Sequence, residues 1–226
     1  MAGNVMSGDG ASNIIYKHDG FTSTITASFT SPSTDPRGSP AWDNTNAYVA
    51  EQSNDFLYQM SGFTSTVSLS FSSPSTYLMG VGWDGTNCLS TDGDKDFYYQ
   101  HSGFTSTITA SFTSPSGSAA GPLSWDGTNL IALDANFFKF SGFTSTIVAS
   151  FAKPYTYPTG ISWDGTNILG CDVVAVKIYQ HSGFSSTISL SFTGSATSTE
   201  GVEWDARLAA PSLGPGSGKR RLQLVG

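Results

Sequence analysis

Hydrophobic and polar residues alternate in short runs along this chain, and the whole pattern returns about every 41 residues. Near residue 160, Ile161 and Trp163 alternate with Ser162 and Asp164, which is the period of two typical of a β-strand. The stretch from 158 to 192 predicts four strands, at 160–164, 168–172, 177–181 and 187–192. Short turns separate them, so each repeat predicts a four-stranded antiparallel meander.

Aromatic residues recur at fixed places in the repeat. One column holds tryptophan, at Trp42, Trp83, Trp125, Trp163 and Trp204. A second holds the phenylalanine of a Gly-Phe turn, at Phe21, Phe63, Phe104, Phe143 and Phe184. A third holds the phenylalanine that closes the fourth strand, at Phe29, Phe71, Phe112, Phe151 and Phe192. Four strands per repeat at this period predict an all-β fold, a five-bladed β-propeller with four antiparallel strands per blade.

The two ends of the chain supply complementary parts of one repeat. Residues 4–21 align without a gap onto 167–184, and residues 201–205 match 160–164. We therefore expect the C-terminal strand to join the N-terminal blade and close the ring, which removes two exposed sheet edges. The expected propeller covers residues 1–206. Residues 207–226 match no repeat and are expected to form a flexible or non-native tail.

The repeats resemble propeller repeats of the NHL and YVTN kind. Those blades open with a Pro-x-Gly-Ile strand, continue through a strand ending in Asp and then enter an Ile-rich strand. The corresponding residues here are Pro158-Thr159-Gly160-Ile161, Asp172 and Lys177-Ile178-Tyr179. The resemblance implies the propeller fold, which sensors, scaffolds, lectins and enzymes share, and therefore implies no particular activity.

Charge and composition narrow the classes of partner. Charged residues make up 12% of the 226 residues, against about 25% in a typical protein, and the net charge is −7. Nucleic acid is therefore not expected as a partner, because phosphate contacts need clustered Lys and Arg. No signal peptide is visible, and no apolar run approaches the length of a membrane span. An extracellular or virion-associated setting stays open.

The aromatic columns have two interpretations. Residues that every blade carries serve the geometry that every blade needs, so we interpret the Trp and Phe columns as packing between blades. A repeated platform for carbohydrate is the alternative.

An acidic column ends the second strand of each blade, at Asp9, Glu51, Asp92, Asp134 and Asp172. We expect these carboxylates to accept hydrogen bonds from the turn that follows, as in an Asx-turn. The alternative is calcium, favoured most in blade three, where Asp92, Asp94 and Asp96 have the spacing of a calcium loop. That loop lacks the downstream Glu, so no metal site is predicted. Cys88 and Cys171 lie at different repeat positions, and neither a disulfide nor a metal motif is expected.

The three histidines offer no catalytic set. His18, His101 and His181 share one repeat position, which Met60 and Phe140 fill in the other blades. A position that Met and Phe can occupy is expected to serve packing. No Ser-His-Asp set, histidine metal centre or phosphate-binding loop is visible, so we predict no catalytic residue, no cofactor and no enzymatic activity.

Sequence variation concentrates in two loops of each blade that share one end of the ring. Bulky or charged residues stand there where other blades carry Gly, Ala or Ser. The predicted ligand contacts are Arg37, Tyr77, Met79, Tyr155 and Tyr157, all expected to be exposed. Drift of loops without function is the alternative.

The sequence thus predicts a monomeric binding or structural module whose ligand, an unidentified protein or glycan, contacts the variable loops. One alternative is a lectin with sites between the blades. Another is a lactonase-like, metal-dependent hydrolase, which would need acidic and amide side chains around the axis.

Overall fold

Twenty β-strands form five antiparallel sheets of four strands each in this computed structural model, which describes residues 3–74, 76–117, 119–194 and 197–206. The sheets follow one another around a ring as five blades. The predicted five-bladed propeller is confirmed, and with it the fold implied by the likeness to NHL and YVTN repeats. The predicted tail lies outside the described residues, so the domain boundary at 206 stays a prediction.

The strands have the following bounds, given from the axis outward in each blade. Blade 1 contains β20 (Thr199–Asp205), β1 (Asn4–Asp9), β2 (Ile14–His18) and β3 (Ile25–Thr30). Blade 2 contains β4 (Ala41–Trp42), β5 (Ala47–Glu51), β6 (Phe56–Met60) and β7 (Val67–Ser72). Blade 3 contains β8 (Leu78–Trp83), β9 (Cys88–Asp92), β10 (Phe97–His101) and β11 (Ile108–Thr113). Blade 4 contains β12 (Leu123–Trp125), β13 (Leu130–Leu133), β14 (Asn136–Phe140) and β15 (Ile147–Ala152). Blade 5 contains β16 (Pro158–Trp163), β17 (Ile168–Asp172), β18 (Lys177–His181) and β19 (Ile188–Thr193).

Blade 1 closes the ring as predicted. Its innermost strand, β20, pairs antiparallel with β1, and Asn4 lies opposite Asp205. Segments near the two ends of the described chain therefore complete one sheet. In blade 2 the first strand shortens to Ala41–Trp42. Pro40 precedes it and has no N–H to donate to a ladder, which explains the shortening.

Phenylalanine pairs join each blade to its neighbour. The phenylalanine near the end of each outer strand packs against the phenylalanine of the Gly-Phe turn in the next blade. The two rings are arranged edge to face, with centroids 4.8 to 5.2 Å apart. This geometry is favourable for aromatic rings. The pairs are Phe29–Phe63, Phe71–Phe104, Phe112–Phe143, Phe151–Phe184 and Phe192–Phe21. Each pair packs against one of five buried clusters, which also take one tryptophan each.

The aspartate of the Trp-Asp-Gly-Thr-Asn turn connects three strands of its blade. In blade 5, Asp164 Oδ1 accepts from the N–H groups of Thr166 and Asn167 at 2.8 and 2.7 Å. Its Oδ2 accepts from Asn167 Nδ2 at 3.1 Å and from Gln180 Nε2, on the third strand, at 2.6 Å. Asn167 Oδ1 in turn accepts from the N–H of Gly183 at 2.9 Å. The two constant turns of the blade are thereby fixed to each other.

Other blades keep this network with different donors. Lys139 Nζ lies 2.6 Å from Asp126 Oδ2, and Lys17 Nζ lies 2.5 Å from Asp205 Oδ2. In blade 2 the turn carries Asn44 in place of glycine, with a φ of 73°. Asparagine tolerates that left-handed conformation better than most residues, which explains why the exception is an asparagine.

Inner strands approach closely around the axis, and glycines make this possible. A Cβ on Gly201 of β20 would collide with the carbonyl of Gly38 and would lie 2.8 Å from Ser39 Cα, so backbone would have to move. Gly8, paired with Gly201 across the sheet, has room for a Cβ, which would lie 3.5 Å from Ile15 Cδ1.

We expect Gly201→Ala to destabilise the protein by about 1 to 3 kcal/mol, the usual cost of forcing an extra carbon into a packed site. Gly8→Ala is the matched control and should cost less than about 1 kcal/mol. Urea unfolding of both variants measures the difference. Equal stability of the two would show that β20 does not pack against blade 2 in this way.

Candidate functional site

The antiparallel order of each blade sorts its loops between two ends of the ring. The Trp-Asp turn and the Gly-Phe turn lie at one end, which we name the constant end. The acidic column and the variable loops lie at the other, which we name the variable end. Each end has a depression at the axis.

At the variable end, the axial depression is a cavity of about 140 Å³. Residues in or next to each of the five connections between blades line it, together with residues at the end of β13. The charged or long side chains in its wall are Arg37, Met79, Asp134, Lys153 and Glu200. The rest of the wall is formed by small residues, prolines, Thr159 and Leu133. The cavity can therefore take a small polar group but not a large molecule.

Arg37 is already compensated by acids. Its guanidinium forms ion pairs with Asp35, at 2.8 Å, and with Glu200, at 3.5 Å. Glu200 also accepts from the hydroxyl of Ser198 at 2.8 Å. These contacts fix the arginine against blade 1 and leave little of its charge for a ligand.

Lys153 differs from Arg37 because, among the described residues, no carboxylate lies within ion-pair distance of it. Partial burial lowers the pKa of its ammonium, and the charge of Asp134 opposes that shift. Asp134 is itself bound by the hydroxyls of Ser114 and Ser116 and by the N–H of Ala135. The cavity wall thus includes one lysine that forms no ion pair with the acids of the described part of the chain.

Sequence reasoning missed Lys153, although the signal was present. Its column holds Ser31, Ser73 and Ser114 in three blades and Gly194 in a fourth. The rule that selected Arg37, a charged residue where other blades carry small ones, also selects Lys153. Lys153 directly follows β15, two residues before the variable segment 155–157, so a comparison of the loops alone does not include it.

The predicted contacts do not form one cluster. Arg37 and Met79 line the cavity. Tyr77 and Tyr157 are exposed, at 40% and 57%, and lie outside the cavity wall. Tyr155 was expected to be exposed, and this is wrong, because its side chain lies in the cluster between blades 4 and 5.

Tyr155 replaces a missing serine. In blades 1 and 3 a serine of the second strand meets the buried histidine, with Ser7 Oγ 2.9 Å from His18 Nε2. Blade 5 has Gly170 at that place, and the hydroxyl of Tyr155 fills the space, 3.4 Å from His181 Nε2. The ring of Tyr155 also stacks on Tyr179, with centroids 4.5 Å apart. Its bulk therefore has a packing explanation.

The acidic column forms turns and also links blades. Asp9, Asp92 and Asp172 accept from N–H groups two or three residues further on. Glu51 instead accepts from Ser31 and from the N–H of Asp35, both in the segment that leads from blade 1. Among the described residues, no group of three or more His, Cys, Asp or Glu side chains could hold a metal.

At the constant end, the axial depression is wider, about 450 Å³, and we name it the tryptophan funnel. All five blades contribute to its wall. Its larger side chains are Trp42, Trp83, Trp125, Trp163, Trp204, Asp43, Asp84, Asp126, Asp164 and Glu203. The tryptophans thus face the axial opening on one side while packing between blades on the other.

Glu203 is the one acid of the innermost strands that lines the funnel. Ser162 Oγ donates to its Oε2 at 2.8 Å, and the N–H of Trp204 donates to that hydroxyl at 3.0 Å. Burial raises the pKa of Glu203 to about 8 despite these hydrogen bonds. The carboxyl group is thus protonated over much of the neutral range in the empty funnel.

No protein-family model and no curated protein matches this chain. Among solved structures, a glutaminyl cyclase from Myxococcus xanthus is similar, with a TM-score of 0.56 and 12% identity, over 74% of this chain and 72% of that one. The dihydro-heme d1 dehydrogenase NirN in complex with DHE gives a TM-score of 0.47 and 11% identity, over 85% of this chain and 44% of that one. At such identities the likeness shows the fold alone. No described helix is long and apolar enough to cross a membrane.

Tyr155 and Tyr157 give a paired test of the placement of these side chains. Tyr155→Ser should destabilise the protein by about 3 kcal/mol, because removing a large aromatic side chain leaves a cavity between the two blades. Tyr157→Ser should change stability by no more than about 0.5 kcal/mol, since its ring is exposed. Thermal and urea unfolding measure both, and a neutral Tyr155→Ser would contradict the inter-blade position.

The buried histidines predict a loss of stability in acid. Burial lowers the pKa of His18 and His101 from 6.5 to about 4. Between those pH values the unfolded chain binds protons that the native chain does not, so the free energy of unfolding falls as pH falls. Each histidine should account for about 2 kcal/mol between pH 7 and pH 5.

The chain itself supplies the control for this pH effect. Blade 4 carries Ala132 and Phe140 where blade 3 carries Ser90 and His101. The double variant Ser90→Ala with His101→Phe should lose about 2 kcal/mol less than the parent between pH 7 and pH 5. Urea unfolding at both pH values decides this, and an unchanged pH dependence would refute the assignment.

Proposed function

We propose that this chain is a non-enzymatic binding module that takes an anionic group of its ligand in the cavity at the variable end. The observation that carries the proposal is Lys153, which lines the cavity and forms no ion pair with a described carboxylate, so that of the acids in the cavity wall Asp134 acts on it through its charge alone. A carboxylate from a ligand would supply that partner. Charge-assisted hydrogen bonds of this kind are about twice as strong as neutral ones.

Size supports a small group rather than a whole molecule. A cavity of about 140 Å³ accommodates a carboxylate and the few atoms next to it. The remainder of a ligand would lie on the surrounding loops, where Tyr77 and Tyr157 are exposed. Exposed tyrosines offer flat, rigid contact area at low entropic cost.

These tyrosines favour a glycan as the ligand, which keeps the lectin alternative as a second candidate. An acidic sugar would combine a carboxylate for Lys153 with a ring face for an exposed tyrosine. A peptide segment with a free carboxylate is the other form of the same chemistry.

We propose no catalytic activity for this chain. The similarity to a glutaminyl cyclase is at 12% identity and shows the fold alone. The lactonase-like alternative would need a metal centre, and no observation on the described residues favours one. The predicted monomeric state is part of the proposal as well.

Paired ligands and paired variants test this function. The probes are sialylated glycans with their desialylated forms, and peptides with a free C-terminal carboxylate with their amidated forms. The carboxylate member should bind at least tenfold more tightly, which corresponds to about 1.4 kcal/mol. Lys153→Ser, which restores the residue of three other blades, should abolish that preference.

Lys95→Ser is the matched control, because Lys95 is exposed at the variable end but does not line the cavity. It should leave the carboxylate preference unchanged. Equal binding of the paired probes, or an effect of Lys95→Ser as large as that of Lys153→Ser, would overturn the proposal.

A further inference from the structure

The tryptophan funnel lies at the opposite end of the ring from the proposed cavity, and its wall has an unusual composition. Five indoles surround the axis together with five acidic side chains. Indole faces attract cations through the quadrupole of the ring, and acids add a negative potential. The composition therefore selects for positive charge.

Two lysines lie over indoles of this wall, although neither lysine lines the funnel itself. Lys17 Nζ lies 4.9 Å from the centre of Trp42, and Lys139 Nζ lies 5.3 Å from the centre of Trp163. Trp83 is stacked on Tyr48, with centroids 5.0 Å apart. Among the described residues, no cation or aromatic ring stacks on Trp125 or Trp204. Two of the five indoles are thus not engaged by another ring or charge.

The aspartates of the funnel have no hydrogen-bonding capacity to spare. Asp84 Oδ1 accepts from the N–H groups of Thr86 and Asn87, and its Oδ2 accepts from Asn87 Nδ2 and Gln100 Nε2. Four acceptor sites on the carboxylate thus have four donors. The other aspartates of the funnel wall are bound by their turns in the same way, at Asp43, Asp126 and Asp164.

This saturation decides which kind of cation fits. Guanidinium and primary ammonium groups carry several N–H donors, and leaving these unpaired on entering the funnel costs free energy. A quaternary ammonium group has no N–H donor and loses no hydrogen bond in the same step. The charges of Asp43, Asp84 and Asp164 still act on it, because hydrogen bonding does not remove charge, whereas Lys139 compensates the charge of Asp126.

We propose that the tryptophan funnel is a binding site for a quaternary ammonium group, with the indoles as its wall and Glu203 as the acid of the innermost strands that lines it. Glu203 accepts a hydrogen bond from Ser162 Oγ, and because burial raises its pKa to about 8, its carboxyl group ionises near neutral pH only as a cation binds beside it. The site is separate from the one under Proposed function, since no residue lines both depressions.

Choline and 3,3-dimethylbutan-1-ol have nearly the same shape, but only choline is charged. Comparing their affinities therefore separates the contribution of charge from that of shape. Titration of the full chain, followed by calorimetry and by tryptophan fluorescence, should show choline binding at least tenfold more tightly than the alcohol. Guanidinium should bind more weakly than choline. Equal binding of choline and the alcohol, tighter binding of guanidinium, or no signal at 50 mM choline would each overturn the proposal.

Two variants place the site. Glu203→Ser, which restores the serine found at 124 and 162, should lower choline affinity at least fivefold. Its thermal unfolding should show a folded protein at least as stable as the parent near neutral pH, since a buried acid is removed. Lys153→Ser at the variable end should leave choline affinity unchanged. Choline affinity that survives Glu203→Ser, or that falls equally in Lys153→Ser, would overturn the assignment.

Discussion

The hydrogen-bonded aspartate of the Trp-Asp turn is the interaction on which each blade depends. One carboxylate closes the first hairpin through two N–H groups and also takes a donor from the third strand, as Asp164 does with Gln180. The asparagine three residues later fixes the second hairpin through Gly183. The donor that reaches the second carboxylate oxygen differs between blades, whereas the aspartate and the asparagine recur in all five. This explains why the constant end varies so little among five repeats.

A ring also needs packing between its blades, because a blade that is well formed on its own would still expose the apolar faces of its sheet. Edge-to-face phenylalanine pairs and the inner tryptophans fill those faces, as Phe151 and Phe184 do beside Trp163. Around the axis, contacts between backbone atoms set how closely the inner strands can pack. Gly160 and Gly201 approach so closely that a Cβ on Gly160 would lie 2.8 Å from Gly201 Cα. Aromatic bulk outside and glycine inside give each blade the wedge shape that five units in a ring require.

The fold was predictable because these constraints repeat, so that five copies of each signal support one interpretation. The strands predicted at 168–172 and 177–181 have the observed bounds. The candidate site was only partly predictable, since single residues determine it. Arg37 and Met79 do line a cavity, but the ion pairs of Arg37 depend on Glu200, which is far away in sequence. The position of Tyr155 depends on Gly170, in another column of the repeat.

That dependence shows how an exceptional residue in a repeat should be interpreted. An exception with a compensating partner in a neighbouring column serves packing, as Tyr155 does opposite Gly170 and His181. Val49 with Met60 and Ala132 with Phe140 follow the same logic, because an apolar pair replaces serine and histidine. Lys153 and Glu203 have no such compensation, since Ser, Gly or Ala stands at their positions in the other blades without a matching change in a neighbouring column. A charge that the fold does not require costs desolvation energy, so these two positions carry the strongest argument for ligands.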